Sequence, residues 1–315
     1  MSTERHLLVV GGGTMGVDIA ASFAIYGWAV TIVNPADGRF ESIQDRFDLA
    51  VARLLGRPAK SRPTVVQELS QVQWPRIDLV IEAAPESLPI KQNIFRELEL
   101  RARPEVPLCS NSSALPISSI GQGLQSQHRM LGTHYFMPAH LVPGVEVVCS
   151  AQTDPAVADA VADVLRAVGK VAIRVKRDLP GFLVNRLQHA VSREALSLMD
   201  RGIVSAEDID AAVRFGFGFR YLAAGPCLQR DHAGLDIHHA AAQSIYPDLC
   251  NDAQPSASLT RLVSEGAMGM KAGRGFYGWT AEQIASERER YETLLAAASQ
   301  LLAAEISEAR DRKPD

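Results

Sequence analysis

A glycine run directly behind a short apolar stretch limits this chain more than any other feature. Leu7-Leu8-Val9-Val10 is followed at once by Gly11-Gly12-Gly13-Thr14-Met15-Gly16, which satisfies G-x-G-x-x-G. Thr14 to Tyr26 then has a helical pattern, closed by Gly27 ahead of a second β-branched run, Ala29 to Val33. In the order strand, glycine loop, helix, strand, this spacing has a physical meaning. Gly11 makes a tight turn, Gly13 lets the backbone approach a pyrophosphate, and Gly16 allows close helix packing. The N–H groups at the helix start, where Thr14 and Met15 stand, are left to bind phosphate. The segment therefore points to a bound dinucleotide.

The same rhythm continues through Asp78 to Ile81, Val106 to Cys109 and Val145 to Val148, each separated from the next by amphipathic stretches. That alternation predicts a parallel sheet wrapped by helices, a Rossmann-type doubly wound α/β fold. The pattern changes at Pro180-Gly181. Apolar residues at 183, 187, 190, 191, 195 and 198 keep a helical period that stops at Gly202, and Ser205 with Asp208 three positions on reads as a capping box opening another helix. From there to Tyr277 no alternating strand pattern occurs, and Ala281 to Arg310, free of Gly and Pro, predicts one long surface helix. The expected division is an NAD(P)-binding domain over 1–179 and an all-α substrate and dimerisation domain over 180–315.

Charge and composition narrow the partners. The chain has 32 Lys and Arg against 36 Asp and Glu, a net charge of −4, so it carries no basic field for nucleic acid or an anionic membrane. A small molecule is the expected partner. Cys109, Cys149, Cys227 and Cys250 have no metal-like spacing and read as reduced core thiols, and no third ligand stands near His232, His238 or His239, so no metal is expected. Leu7 to Val10 is too short for a signal peptide, and no run is long enough to span a membrane, so the expected location is cytoplasmic.

The second strand of such a dinucleotide unit ordinarily ends in Asp or Glu, which bonds the adenosine ribose hydroxyls; here Asn34 stands there, with Arg39 a short loop away. An amide still bonds a ribose hydroxyl but lacks the charge that repels a 2′-phosphate. NAD is the expected cofactor, with NADP as the alternative.

Several further motifs resemble one family. Ile81-Glu82-Ala83-Ala84-Pro85-Glu86 with Lys91, Ser110-Asn111-Ser112-Ser113, Gly132-Thr133-His134-Tyr135-Phe136, Gly144-Val145-Glu146-Val147-Val148, Pro180-Gly181-Phe182-Leu183-Val184-Asn185-Arg186-Leu187 and Gly269-Met270-Lys271 through Gly275-Phe276-Tyr277 occur in order over about residues 6 to 279. Together they resemble the L-3-hydroxyacyl-CoA dehydrogenase family, including its relatives acting on L-gulonate and carnitine. The resemblance implies an NAD-dependent oxidoreductase acting on the C3 hydroxyl or oxo group of a 3-hydroxy acid or its CoA thioester, as in fatty acid metabolism, and a helical domain that forms a homodimer. It assigns His134 and Glu146 as an acid/base pair, Ser113 and Asn185 as residues contacting substrate and histidine, and Glu86, Lys91 and Asn111 to the cofactor. The chemistry is consistent: oxidation of a secondary alcohol needs a base for the hydroxyl proton, histidine suits that role near neutral pH, and a carboxylate on its other nitrogen fixes the tautomer.

The chain also departs from the acyl-CoA members. Met137 replaces an Asn three residues after the histidine, the arm following the second strand is short, and only Arg53, Arg57, Lys60 and Arg62 remain there to hold a CoA moiety. Phe217-Gly218-Phe219-Arg220-Tyr221 resembles the free-acid relatives, in which an Arg in this place would bind a substrate carboxylate. A dehydrogenase of a free 3-hydroxy carboxylate is thus one alternative, and a catalytically silent dinucleotide-binding protein is another.

Overall fold

The computed structural model describes residues 4–35, 40–54 and 59–311. One sheet contains β1 His6–Val10, β2 Ala29–Val33, β3 Thr64–Val66, β4 Leu79–Glu82, β5 Leu108–Ser110, β6 Met130–Tyr135, β7 Gly144–Cys149 and β8 Val171–Val175. Their order is β3-β2-β1-β4-β5-β6-β7-β8. Progression away from β1 in two directions opens a crevice between β1 and β4, beyond their carboxyl ends. Helices α1 Thr14–Ala24, α2 Phe40–Arg53, α3 Leu88–Arg101, α4 Ile117–Ile120 and α5 Pro155–Ala167 follow their strands as the alternating pattern predicts.

The pleat explains why β1 reads as an unbroken apolar run. Leu7 and Val9 pack on one face with Phe23, Phe47 and Leu165, while Leu8 and Val10 pack on the other with Phe95, Leu98 and Ile120. A strand covered on both faces has no polar side to show.

Neighbouring strands are parallel except β6 and β7, which are antiparallel. The sheet is thus mostly parallel, as the alternating pattern predicts, with one antiparallel pair. The link between them, residues 136–143, is shorter than the dozen or so residues a parallel crossover requires. β3 and β8, at the two edges and only partly buried, were not among the runs the pattern picked out.

The chain divides into two units, one formed by Met1–Leu183 with the segment from Tyr291 onward, the other by Val184–Arg290. The second unit begins with α6 Val184–Asp200, and α7 Ala206–Ala211 follows. The Ser205 hydroxyl accepts the Asp208 N–H at 3.1 Å, as the capping pattern predicts. The sequence reading puts everything after 180 into the second domain and makes Ala281 to Arg310 one helix. Instead two helices, Ala281–Leu301 and Ala303–Asp311, meet at Leu302, and the part from Tyr291 belongs to the first unit. There Arg53 pairs with Glu292, the Ser299 hydroxyl reaches the Leu141 carbonyl, and the last helix packs on α5 and β8. This segment thus has a partner that the absence of Gly and Pro does not identify.

All four cysteines are free. Cys109 and Cys149 are buried as expected, but Cys227 is exposed, because its short helix presents that side to solvent. No described helix is long and apolar enough to cross a membrane.

Candidate active site

The glycine loop lies immediately beyond the carboxyl end of β1. Gly11 has φ 121°, and a Cβ added there would stand 2.5 Å from the Ala83 carbonyl oxygen. At Gly16 a Cβ would come within 1.9 Å of the Gly11 carbonyl oxygen, so α1 packs this tightly on the loop only with glycine. Gly13 faces open space. The N-terminus of α1 has no side-chain cap and no acidic residue in its first turn, which leaves the N–H groups near Thr14 and Met15 oriented toward an anion. These features fit the pyrophosphate of a dinucleotide. Asn34 follows β2 against the same loop, its Cβ 2.9 Å from where a Gly12 side chain would begin. Arg39 lies outside the described residues.

Beyond β4 and β5 stands a polar network. Glu82 ends a strand that is otherwise apolar, in register with Val10 of β1 and Ser110 of β5. Its carboxylate is fully buried and accepts Lys91 Nζ at 2.7 and 2.9 Å, the Ser110 hydroxyl at 2.6 Å and the Ala84 N–H at 2.6 Å. Lys91 is only 1% exposed, and Glu86 lies 3.4 Å away on its other side. One oxygen of Glu86 gathers the Ser112 hydroxyl at 2.6 Å and the N–H groups of Ser113 and Ala114 at 3.0 Å. Burial works to raise the Glu86 carboxyl, but the bonds from Ser112 and Ala114 outweigh it and hold the group below the usual carboxylate range. Ser113, exposed, thus sits on a turn tied to Glu86. Asn111 accepts the Tyr135 N–H at 2.9 Å through its side-chain oxygen and so joins the ends of β5 and β6.

His134 lies near the carboxyl end of β6, and the antiparallel register sets Glu146 of β7 directly opposite it. On these strands Leu131, Tyr135, Val145 and Val147 fill the core of one face, so His134 and Glu146 share the other. His134 Nδ1 is 2.6 Å from Glu146 Oε2. The imidazole is 3% exposed and the carboxylate fully buried. The other carboxylate oxygen, Oε1, accepts the Leu183 N–H at 2.9 Å. Phe136 and Phe182 set their rings edgewise to the imidazole, with centroids 4.7 and 5.7 Å away. Met137, by contrast, is 66% exposed.

The first unit therefore sets the glycine loop, Asn34, Glu86, Lys91, Asn111, Ser113, His134 and Glu146 along the carboxyl ends of its parallel strands. Asn185, in the first turn of α6, and Arg220, exposed on the short helix Gly218–Tyr221, belong to the second unit. Just before that helix, Ala212–Phe217 is a π-helical segment with Gly216 outside helical geometry. Of the basic residues after β2, Arg53 pairs with Glu292, Lys60 with Glu4 at 2.9 Å and Arg62 with Asp48, while Arg57 lies outside the described residues. Sequence reasoning gave no role to Glu82, Phe182 or the Leu183 N–H. A carboxylate closing a central apolar strand was a usable signal for Glu82; nothing marked the other two.

Comparison with known proteins gives a consistent set of matches. Residues 6–179 match the model of the 3-hydroxyacyl-CoA dehydrogenase NAD binding domain, and residues 181–279 that of the 3-hydroxyacyl-CoA dehydrogenase C-terminal domain. The chain is 30% identical over 298 residues, 93% of its length and 96% of the relative's, to 5-formyl-3-hydroxy-2-methylpyridine 4-carboxylate 5-dehydrogenase of Mesorhizobium japonicum. It is 33% identical over 288 residues, 87% of its length and 90% of the relative's, to the mitochondrial hydroxyacyl-coenzyme A dehydrogenase of Homo sapiens. A crystal structure of a 5-formyl-3-hydroxy-2-methylpyridine 4-carboxylic acid 5-dehydrogenase, described as an NAD+ dependent dismutase, superimposes with a TM-score of 0.90 at 29% identity, covering 95% of this chain and 99% of that one.

Proposed function

Since the chain belongs to the 3-hydroxyacyl-CoA dehydrogenase family and is an NAD-dependent oxidoreductase, we propose that it interconverts a hydroxyl and an oxo group with His134 as acid/base and Glu146 as its orienting partner. The buried 2.6 Å contact between His134 Nδ1 and Glu146 Oε2 carries this reading. NAD, when bound, supplies the hydride acceptor or donor. The chain's own residues handle the proton and the geometry. With the carboxylate on Nδ1, the free Nε2 takes the alcohol proton during oxidation and returns it during reduction, and the buried anion stabilises the imidazolium formed between. Ser113 is suited to bonding the reacting oxygen, and Asn185 to holding the region between histidine and substrate. The glycine loop, Thr14 and Met15 hold the pyrophosphate and Asn34 the adenosine ribose, while Glu86, Lys91 and Asn111 shape the nicotinamide side. The intact acid/base pair weighs against a catalytically silent binding protein.

A free carboxylate is the substrate we favour over a CoA thioester. The superposition on an enzyme named for a pyridine carboxylate is the observation that favours it, with a TM-score of 0.90 against 0.71 for a structure named M. tuberculosis FadB2. Arg53, Lys60 and Arg62, the described candidates for CoA phosphates, already have carboxylate partners. The test is NADH oxidation with two sets of 3-oxo compounds, free acids including aromatic carboxylates, and their CoA thioesters. Turnover confined to thioesters would reject the free-acid reading, and cofactor binding without turnover on either set would favour the silent one. The second unit exposes Phe215, Phe219, Leu235, Ile237 and Tyr246, which supports a homodimer through that unit. Light scattering at micromolar concentration checks it.

A further inference from the structure

Among the described residues, Phe182 is the one non-glycine residue with a left-handed backbone, at φ 48°. Side chains with a Cβ avoid this region, and such conformations persist where surrounding contacts hold them. Gly181, just before it, is also left-handed at φ 74°. The Phe182 N–H closes the turn on the Leu179 carbonyl at 2.9 Å. Two consequences follow at the neighbouring pair. The Phe182 ring, 1% exposed, is seated edge-on to the His134 imidazole. The next peptide N–H, that of Leu183, is aimed at Glu146 Oε1, 2.9 Å away. The carboxylate is thereby held at both oxygens, one on the imidazole and one on the backbone, and it cannot rotate without breaking a bond. A relaxed extended backbone at 182 would direct both groups elsewhere.

We propose that the Gly181-Phe182-Leu183 turn is a positioning element for the acid/base pair, its strained residue holding the His134 ring and the Glu146 carboxylate in the orientation that proton transfer needs. This rests on the acid/base reading of His134. Phe182 touches no reacting atom, so it acts through the pair. With the turn loosened, the carboxylate faces Nδ1 less well and the imidazolium formed during proton transfer is less stabilised.

The experiment compares wild type with Phe182→Leu, Phe182→Gly, Phe23→Leu and His134→Ala, using the best substrate from the panel above in the direction of alcohol oxidation. Phe182→Gly is included because glycine has no ring to seat against His134 and is free to leave the left-handed region, so it removes both restraints at once. Phe23, buried at the end of α1 away from the glycine loop, serves as a control for general destabilisation. Both Phe182 variants are expected to lose about tenfold or more in kcat with NADH affinity unchanged. The ascending limb of their kcat/KM–pH profiles should move to lower pH by about half a unit or more. Phe23→Leu should lower Tm without moving that limb. Wild-type kcat and an unmoved limb in both Phe182 variants would overturn the proposal. So would a fall in kcat with the limb unmoved, which marks a structural role only. His134→Ala separates this failure from that of the underlying reading: activity lost there but intact in the Phe182 variants removes only the turn's role, whereas activity intact throughout removes the acid/base assignment and the proposal with it.

Discussion

Glu146→Gln keeps the shape of the side chain and removes its charge, and the local bonds determine what the amide must do. The Leu183 N–H needs an acceptor, so the amide oxygen takes the place of Oε1 and the amide NH2 faces His134 Nδ1. Nδ1 then accepts a hydrogen bond instead of donating one, and the neutral ring carries its proton on Nε2. That tautomer cannot take a proton from an alcohol. The lost stabilisation of the imidazolium is about 4 kcal/mol for unit charges roughly 4 Å apart at an effective dielectric near 20. At about 1.4 kcal/mol per decade this is about a thousandfold in rate, inside the range of about 10² to 10⁴ typical of a positioned acid or base. Glu146 is fully buried, and its bonds to His134 and the Leu183 N–H involve no residue of the glycine loop, so NADH affinity should not change. The assay pairs steady-state turnover with fluorescence titration of NADH. Wild-type turnover in the variant would show that the pair does not serve proton transfer. Weakened NADH binding with unaltered kcat would place Glu146 in cofactor binding.

Three other perturbations probe different parts of the molecule. Asn34→Asp should raise the preference for NADH over NADPH, because a carboxylate bonds the ribose hydroxyls and repels a 2′-phosphate; an unchanged ratio of kcat/KM values would show that residue 34 does not face the ribose. Arg220→Met should raise KM for a free carboxylate steeply and leave a CoA thioester unaffected, whereas an equal loss on both would remove the carboxylate role. Lys170 donates to the carbonyls of Ala139 and Val142 at 2.6 and 2.9 Å, and burial pushes its pKa down to about 7, with Asp18 opposing. The unfolded chain, with lysine near its ordinary value of 10.5, binds more protons than the native state between these limits. Native stability relative to a Lys170→Met variant should therefore rise by about 1 kcal/mol per pH unit from pH 7.5 to 9. Urea midpoints measured at both ends check this, and a pH-independent difference between the two proteins would contradict a depressed lysine.

The alternation of apolar runs and amphipathic helices, and the glycine loop between β1 and α1, belong to local sequence. Strand, turn and helix there are set by residues within a few positions of one another, so they were legible in advance, as were the Ser205 cap and the helical character of the second unit. The resemblance singled out His134 and Glu146, but only the sheet explains their meeting. Twelve positions apart, they face each other because the short link at 136–143 forces β6 and β7 antiparallel and the register sets them opposite. Lys91, which the resemblance assigned to the cofactor, is also buried against Glu82, where α3 folds back on the end of β4 and the pairing of β4 with β1 and β5 encloses the carboxylate. The tail from Tyr291 likewise looked like an independent surface helix until its contacts with α5 and β8 supplied a partner. Least visible of all was Phe182, because a left-handed phenylalanine has no local cause: the buried seat of its ring beside His134 and the Leu183 bond to Glu146 hold it there, and both exist only once the sheet has formed. Sequence determined which elements this chain makes and that a dinucleotide fits the first of them. Tertiary structure decided which side chains meet, since contacts between distant residues depend on strand order, direction and register rather than on any neighbour along the chain.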